Sequence, residues 1–289
     1  MRQIVIISGK GGTGKTSIAA AVIHTASQQS KVVSADCDVD ASDLHLILQP
    51  EIKQKNVFQA GFKAQIDKDR CTVCRECIKV CRFDAIFYKQ NFCTIEPFLC
   101  EGCGLCQISC NEKAITIAQE TAGEWYISDC RYGNMVHAML YPGSENSGKL
   151  VTMVRHQAKL ISEDTNAEYI IIDGPPGIGC PVIASITGTD LALAVIEPTV
   201  SGIHDFERIQ KLCNHFKVKI LVCINKYDIN IDITHNIEDY CSKNNVPVVM
   251  KLAFSDKFLY SQIQNRSIIE FDNSYSSTFS LLWSNINYD

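Results

Sequence analysis

Ser8-Gly9-Lys10-Gly11-Gly12-Thr13-Gly14-Lys15-Thr16-Ser17 follows the apolar run Ile4-Val5-Ile6-Ile7 and leads into Ile18-Ala19-Ala20-Ala21-Val22-Ile23. The order is a buried strand, a glycine-rich turn and a good helix former, and Gly9 to Thr16 fits G-x-x-x-x-G-K-[ST]. Glycines let the backbone wrap a polyphosphate with its N–H groups pointing inward, and the helix N-terminus adds partial positive charge. Lys15 is expected at the β- and γ-phosphates and the Thr16 hydroxyl on Mg²⁺. The expected nucleotide cradle is therefore Gly9, Lys10, Gly11, Gly12, Thr13, Gly14, Lys15, Thr16 and Ser17. A chance glycine-rich turn is the competing reading, and the flanking strand and helix weigh against it.

Working outward, Val32-Val33-Ser34-Ala35-Asp36 reads as a second strand that delivers Asp36, Asp38, Asp40 and Asp43. Further strand-like runs are Tyr169 to Ile172, Leu191 to Ile196, Lys219 to Ile224 and Val246 to Val249. Helical patterns cover Leu150 to Ile161, His204 to Phe216 and Ile233 to Cys241. Apolar strands alternating with helices predict an α/β fold with a mostly parallel, doubly wound sheet. Ile170-Ile171-Ile172-Asp173-Gly174-Pro175-Pro176-Gly177 ends a strand in an acid, where a Mg²⁺-side carboxylate belongs, and either Asp36 or Asp38 is expected to orient the attacking water. A helix N-cap is the plainer reading of such strand-end acids. Asn225 and Asp228, in Asn225-Lys226-Tyr227-Asp228, are expected against a purine base, on a weak motif. Residues Glu124 to Pro142 suggest a short strand, Trp125-Tyr126-Ile127, followed by a loop.

Between about Phe62 and Ile117 the α/β rhythm gives way to cysteines. The chain holds 15, nine of them between Cys71 and Cys110. Cys71, Cys74, Cys77 and Cys81 recur as Cys100, Cys103, Cys106 and Cys110 at a constant offset of 29 residues, and Ala85-Ile86 matches Ala114-Ile115 at the same offset. This is the spacing of bacterial two-cluster ferredoxins, in which the fourth cysteine of each run serves the other cluster. The expected ligand sets of two [4Fe–4S] clusters are Cys71, Cys74, Cys77 and Cys110 for one, and Cys100, Cys103, Cys106 and Cys81 for the other. Arg82 and Asn111 stand where that pattern has proline. Zinc is the competing metal, because C-x₂-C pairs also bind it. Cys93 reads as a packed strand residue. Arg70, Arg75, Lys79 and Arg82 around the first run read as a solvated face ahead of a docking patch.

The expected division is residues 1–60 and 121–289 for a P-loop domain and 61–120 for an inserted α+β ferredoxin-like domain. The 289 residues, 46% hydrophobic and 20% charged, describe an ordinary globular protein, and a net charge of −5 disfavours nucleic acid as a partner. A first strand near the N-terminus leaves no room for a signal peptide, and no apolar run reaches the ~18 residues of a membrane span. A cytoplasmic location is expected. Phe279 to Ile286 has an apolar face without Lys or Arg, so packing on the core is expected rather than membrane binding.

The glycine-rich loop, the eight repeat cysteines, Glu145 to Lys149, Asp173 to Asp190, Glu197-Pro198-Thr199 and Asn225 to Asp228 together resemble the MinD/ParA/Mrp superfamily of P-loop ATPases with an inserted ferredoxin domain. That superfamily includes the nitrogenase iron protein, MinD and ParA ATPases and cytosolic iron–sulfur cluster carriers. The resemblance implies ATP with Mg²⁺, and a homodimer or a heterodimer with a related ATPase. It also implies that Lys10 reaches the partner subunit's phosphates, that Asp38 positions water and that Asp173 is the second switch acid. Lys10, Lys15, Asp38 and Asp173 are thus the expected catalytic residues. Cys180 lies near where the nitrogenase iron protein has a cluster ligand, and a buried structural thiol is the favoured alternative. Cys37, Cys130, Cys213, Cys223 and Cys241 are expected to be packing residues. The leading expectation is ATP-gated electron transfer to a redox client. Iron–sulfur or metal-cofactor assembly or delivery to a metalloenzyme is the alternative, and a MinD-like spatial regulator the third.

Overall fold

A computed structural model of the chain describes residues 1–288. In chain order the elements begin with β1 (Arg2–Ser8), α1 (Lys15–Ser27), β2 (Val32–Asp36), α2 (Leu44–Leu48) and β3 (Glu51–Ile66). There follow α3 (Glu76–Val80), β4 (Ile86–Lys89), β5 (Phe92–Ile95), α4 (Leu105–Ile108), β6 (Ile115–Cys130) and β7 (Gly133–Leu140). Next are α5 (Ser147–Thr165), β8 (Tyr169–Pro176), α6 (Cys180–Ile186), β9 (Leu191–Ile196) and α7 (Val200–His215). The chain ends with β10 (Lys219–Asn225), α8 (Ile231–Lys243), β11 (Val248–Leu252), α9 (Lys257–Ile263), α10 (Ile268–Phe271) and α11 (Ser276–Tyr288).

Nine strands form one sheet in the order β11-β10-β9-β1-β8-β2-β7-β6-β3. The pairs from β11 across to β7 are all parallel. β6 and β7 are neighbours joined by Arg131 and Tyr132 alone, a connection too short for anything but an antiparallel pair. The central strands are largely apolar and buried along most of their length, as strands covered on both faces must be. Ile4 and Ile6 pack with the Ala-rich face of α1 and with Leu44, Leu48, Phe279, Leu282 and Trp283. Strand alternation sends Val5 and Ile7 the other way. α7 and α8 start on side-chain caps, Thr199 accepting from Gly202 N–H and Asn230 from Ile233 N–H.

The chain divides into two compact units, Met1–Asn56, Trp125–Met139 and Ser147–Asp289 in one, Val57–Glu124 and Leu140–Asn146 in the other. The second unit contains the β4–β5 antiparallel hairpin and a small core of Ala64, Cys77, Ala85, Ile86, Cys93, Cys100, Cys106 and Ile115. Its internal repeat extends to the backbone. Val73 and Gly102, Arg75 and Gly104, and Asp84 and Lys113 are pairs at the 29-residue offset, and all six are left-handed. Four of these are not glycine, so the cysteine loops hold a conformation that L residues rarely adopt.

The sequence patterns agree with the observed strands around the glycine-rich loop and miss the long ones. Where a short strand and a loop were expected, β6 and β7 fill residues 115–130 and 133–140. β3 was not anticipated, because most of its residues are exposed and Lys and Gln dominate its start; burial falls only on Phe58, Ala60 and Ala64, at even spacing. The C-terminal segment forms α11 with Phe279, Leu282, Trp283 and Ile286 buried against α1 and its neighbours, as its apolar face implied. Among the described residues no helix is long and apolar enough to cross a membrane.

Phe279→Ala should therefore destabilise the chain by about 3–5 kcal/mol. Leu281→Ala, on the 63% exposed side of the same helix, should stay within about 0.5 kcal/mol of the parent. Urea denaturation of the two variants measures the difference.

Candidate functional site

Parallel strands bring their carboxyl ends to one edge, and in such sheets ligands bind in the crevice beyond it. β1 stops at Ser8, and the loop to α1 lies at that edge. Gly14 precedes α1 with φ +88°, and a Cβ there would stand 2.5 Å from Asn225 Nδ2, so only glycine fits. No side chain caps the first turn of α1, which leaves its N–H groups for an anion. A cleft of about 660 Å³ opens beside this turn, lined by Gly11 to Ser17, Asp38, Pro175, Pro176 and Asn225. Its far wall is Phe254, Phe258, Leu259 and Gln262, whose amide donates to Ser17 Oγ at 2.7 Å. Sequence reasoning missed that wall; exposed aromatic and aliphatic residues after β11 are the only trace of it.

The β2–β8 register sets Asp36 beside Asp173. Lys15, 6% exposed, donates to Asp173 Oδ1 at 2.8 Å and lies 3.5 Å from Asp38 Oδ2. Burial lowers the proton affinity of Lys15, but Asp173, Asp38 and Asp36 together outweigh it and hold the ammonium charged. Asp36 is fully buried and accepts from Asp38 N–H, the Ser42 hydroxyl and Leu44 N–H. Burial and then Asp173 push its carboxyl up to about 8, against the pull of Ser42, Lys15 and Asp38 N–H. Asp36 thus shapes the loop from residue 38 to 44, while Asp38 lines the cleft. Burial raises the Asp38 carboxyl too, with Lys15 pulling it down. Among the described residues, Asp173 Oδ2 and Thr13 Oγ1 are buried without a hydrogen-bond partner.

Lys10 lies outside the cleft. Its Nζ is 2.9 Å from Glu197 Oε2 and 3.1 Å from Thr199 Oγ1. The other oxygen of Glu197 is 2.9 Å from Lys226 Nζ, which also donates to Gly12 O at 3.1 Å. Burial raises the Glu197 carboxyl, but the two lysines prevail and lower it. Gly9 packs against Asp205, where a Cβ would come within 2.3 Å. Asn225 donates to Thr13 O at 2.8 Å, so its amide braces the loop, and Asp228 accepts from Phe254 N–H at 2.7 Å and holds the wall. Asp228 does not line the cleft.

Cys180 opens α6 and is exposed, unlike the buried thiol the sequence favoured. Gly148, in the first turn of α5, abuts it, and a Cβ there would lie 3.3 Å from Cys180 Cβ. Cys37, Cys213, Cys223 and Cys241 are buried and Cys130 half-buried. Burial pushes the Cys213 and Cys241 thiols up to about 12, which suits packing rather than reactivity.

In the second unit two cavities open among the repeat cysteines. Cys71, Cys74, Cys77 and Cys110 line one, and Cys81, Cys100, Cys103 and Cys106 line the other. Each is completed by the last cysteine of the opposite run. Ala85 N–H donates to Cys81 Sγ at 3.4 Å and Ala114 N–H to Cys110 Sγ at 3.3 Å, a repeat-related pair. Ala64 N–H donates to Cys100 Sγ at 3.5 Å. Among the described residues, no three or more His, Cys, Asp or Glu side chains are drawn together as around a single ion.

Residues 4–268 match the family model of the CobQ/CobB/MinD/ParA nucleotide binding domain. Protein MJ0578 of Methanocaldococcus jannaschii is 37% identical over 230 residues, 79% of each chain. Pyruvate synthase subunit PorD of Methanothermobacter marburgensis is 37% identical over 68 residues, 24% of this chain and 80% of that protein. Among solved structures, the septum site-determining protein MinD of Pyrococcus horikoshii with Mg-ADP superposes with a TM-score of 0.60 at 16% identity, covering 99% of this chain and 95% of that one. At that identity the likeness is one of fold.

Removing Lys15 leaves Asp173 buried and Asp38 half-buried without their cation, so Lys15→Ala should cost about 3–5 kcal/mol of stability. Burial already raises the Asp38 carboxyl and Lys15 pulls it down, so without Lys15 it rises further. A folded-state pKa raised above the unfolded one makes stability fall as pH rises, so the loss should be larger at pH 8 than at pH 6. Lys10 is about a third exposed, and Lys10→Ala should cost no more than about 1 kcal/mol. Denaturation of both variants at the two pH values tests the contrast.

Proposed function

The chain belongs to the CobQ/CobB/MinD/ParA nucleotide-binding family, and from that premise we propose that it is an ATP-hydrolysing iron–sulfur protein in which nucleotide state governs electron transfer through two [4Fe–4S] clusters. The observation that carries this reading is the pair of cysteine-lined cavities, each lined by three repeat cysteines of one run and the last of the other, in a chain that also has a MinD/ParA-type phosphate loop. Thiols packed in a small core and bonded by backbone N–H groups fit thiolate ligands, because such bonds stabilise the charge on sulfur. Bound there, the clusters would supply one-electron transfer at low potential. On this reading residues 61–120 are a ferredoxin-like domain inserted between residues 1–60 and 121–289.

In the ATPase part, backbone N–H groups of Gly11 to Thr16 bind phosphate and Lys15 moves from Asp173 and Asp38 to the phosphate oxygens. Thr16 Oγ and Asp173 are the groups to hold Mg²⁺, and the partnerless Asp173 Oδ2 fits that role. Asp38, released by Lys15, orients the attacking water. Lys10 leaves Glu197 and acts on the nucleotide of a second subunit, identical or related, and the redox client docks on the cluster domain.

Delivery of clusters or metal to another protein is the alternative, distinguished by what leaves the chain. Retention of iron and sulfide through many ATP turnovers beside an apoprotein acceptor supports electron transfer, and ATP-dependent loss supports delivery. Protein purified anaerobically should carry the iron and sulfide of two [4Fe–4S] clusters, with an EPR signal on reduction. Stoichiometric zinc without iron would overturn the reading. Lys15→Ala should abolish nucleotide binding and keep both clusters. Lys10→Ala should bind ATP but hydrolyse it about 10³–10⁵-fold more slowly and fail to dimerise with ATP, as loss of a group acting in trans requires. Turnover assays and sedimentation with a non-hydrolysable analogue read both effects.

A further inference from the structure

The first cavity has a fifth thiol. Cys93, on β5 and 2% exposed, lines the same cavity as Cys71, Cys74, Cys77 and Cys110. It packs with Cys77 in the small buried core of this unit, and Cys71 and Cys110 lie against that core. The sequence suggested a packed strand residue, and buried on a strand it is. Its neighbours, however, are the thiols of one cavity rather than a generic apolar core.

The internal repeat supplies the control. Moving back by the 29-residue offset from Cys93 leads to Ala64, which lines the second cavity with Cys81, Cys100, Cys103 and Cys106. Ala64 N–H donates to Cys100 Sγ, and Cys100 is the repeat counterpart of Cys71. Cys93 and Ala64 are thus the same position in two halves of one repeat, and the halves differ there by one thiol. A side chain needed only for filling could be alanine in both. The first half instead places a fifth sulfur beside its ligands and shields it from solvent.

We propose that Cys93 is a reserve ligand of the first cluster, able to take the iron that Cys77 serves when that thiolate is lost. This rests on the cluster reading given above. The exchange is one of ligands without oxidation or reduction. As the Cys77–iron bond breaks, the Cys93 thiol gives its proton to the departing Cys77 thiolate, or to solvent where Cys77 is replaced, and its sulfur bonds the iron left open, while the other three iron–thiolate bonds stay. The second cavity, with Ala64 at the equivalent position, has no such reserve. The two clusters should therefore differ in their tolerance of losing a ligand.

Four variants of the full chain, purified anaerobically, decide the matter by iron and acid-labile sulfide per chain and by EPR after reduction. Cys77→Ala should keep the iron of two clusters with an altered EPR signal. Its repeat counterpart Cys106→Ala should fall to about half. Cys93→Ala alone should keep both clusters, and Cys77→Ala with Cys93→Ala should fall to about half. Equal loss in Cys77→Ala and Cys106→Ala would overturn the proposal, as would full iron in the double variant. Should Cys77→Ala fail to fold, the decision passes to Cys106→Ala combined with Ala64→Cys, which places a thiol in the second cavity. Return of the lost iron there supports a reserve ligand, and no return overturns it. Parent protein without iron would instead refute the cluster reading itself, so the two failures are distinguishable.

Discussion

A buried lysine held by two carboxylates is the interaction on which the phosphate loop depends. Lys15 Nζ sits 2.8 Å from Asp173 and 3.5 Å from Asp38, nearly out of solvent. Neither charge tolerates that environment alone. The arrangement exists because β1, β8 and β2 are parallel and in register, so that Ile6 and Asp36 both lie level with Asp173. It also loads the site. In the mechanism proposed, a polyphosphate draws Lys15 away from the two acids, and each acid set free is then available to water or a divalent cation. On the proposed reading, binding and the arming of Asp38 and Asp173 are one event.

Glu197 plays a comparable part on the other side of the loop, where one carboxylate holds Lys10 and Lys226 and, through Lys226, the carbonyl of Gly12. The partly exposed pair with Lys10 contributes little to stability and is correspondingly easy to break. The second unit follows a different logic. Its core is short of aliphatic bulk and rich in thiols, and its loops carry left-handed residues in repeat-related pairs. On the proposed reading, a core of that kind would gain much of its cohesion from the clusters its thiols hold.

Much of this was legible in the chain, and particular residues show where it stopped. Gly9 to Thr16 announced the loop because glycines and a lysine at that spacing do one chemical job, and Leu191 to Ile196 announced a buried strand because every residue in it is apolar. The crossed grouping of Cys110 with Cys71, and of Cys81 with Cys100, followed from spacing alone. β3 was invisible since an edge strand with exposed Lys and Gln has no apolar run to betray it. Glu197 could be quoted as part of a motif, but its two lysines are distant in sequence and meet only in the fold. Asn225 and Asp228 are expected at a base; in the fold Asn225 lines the cleft and donates to Thr13 O, and Asp228 accepts from Phe254 N–H. Cys93 reads in sequence as packing because its neighbours lie on other elements; only its repeat counterpart Ala64 signals the difference.

The central claim is that nucleotide and clusters are linked within one chain. Thermodynamic reciprocity gives this a direct reading: if ATP binds the oxidised and reduced forms differently, it must shift the midpoint potential, by about 59 mV for each tenfold difference in a one-electron couple. The deciding measurement is an anaerobic, EPR-monitored redox titration of the full chain with and without Mg²⁺ and a non-hydrolysable ATP analogue, with Lys15→Ala as the control. The account predicts a shifted midpoint in the parent and none in Lys15→Ala. Superimposable titrations of the parent with saturating nucleotide present and absent would contradict it.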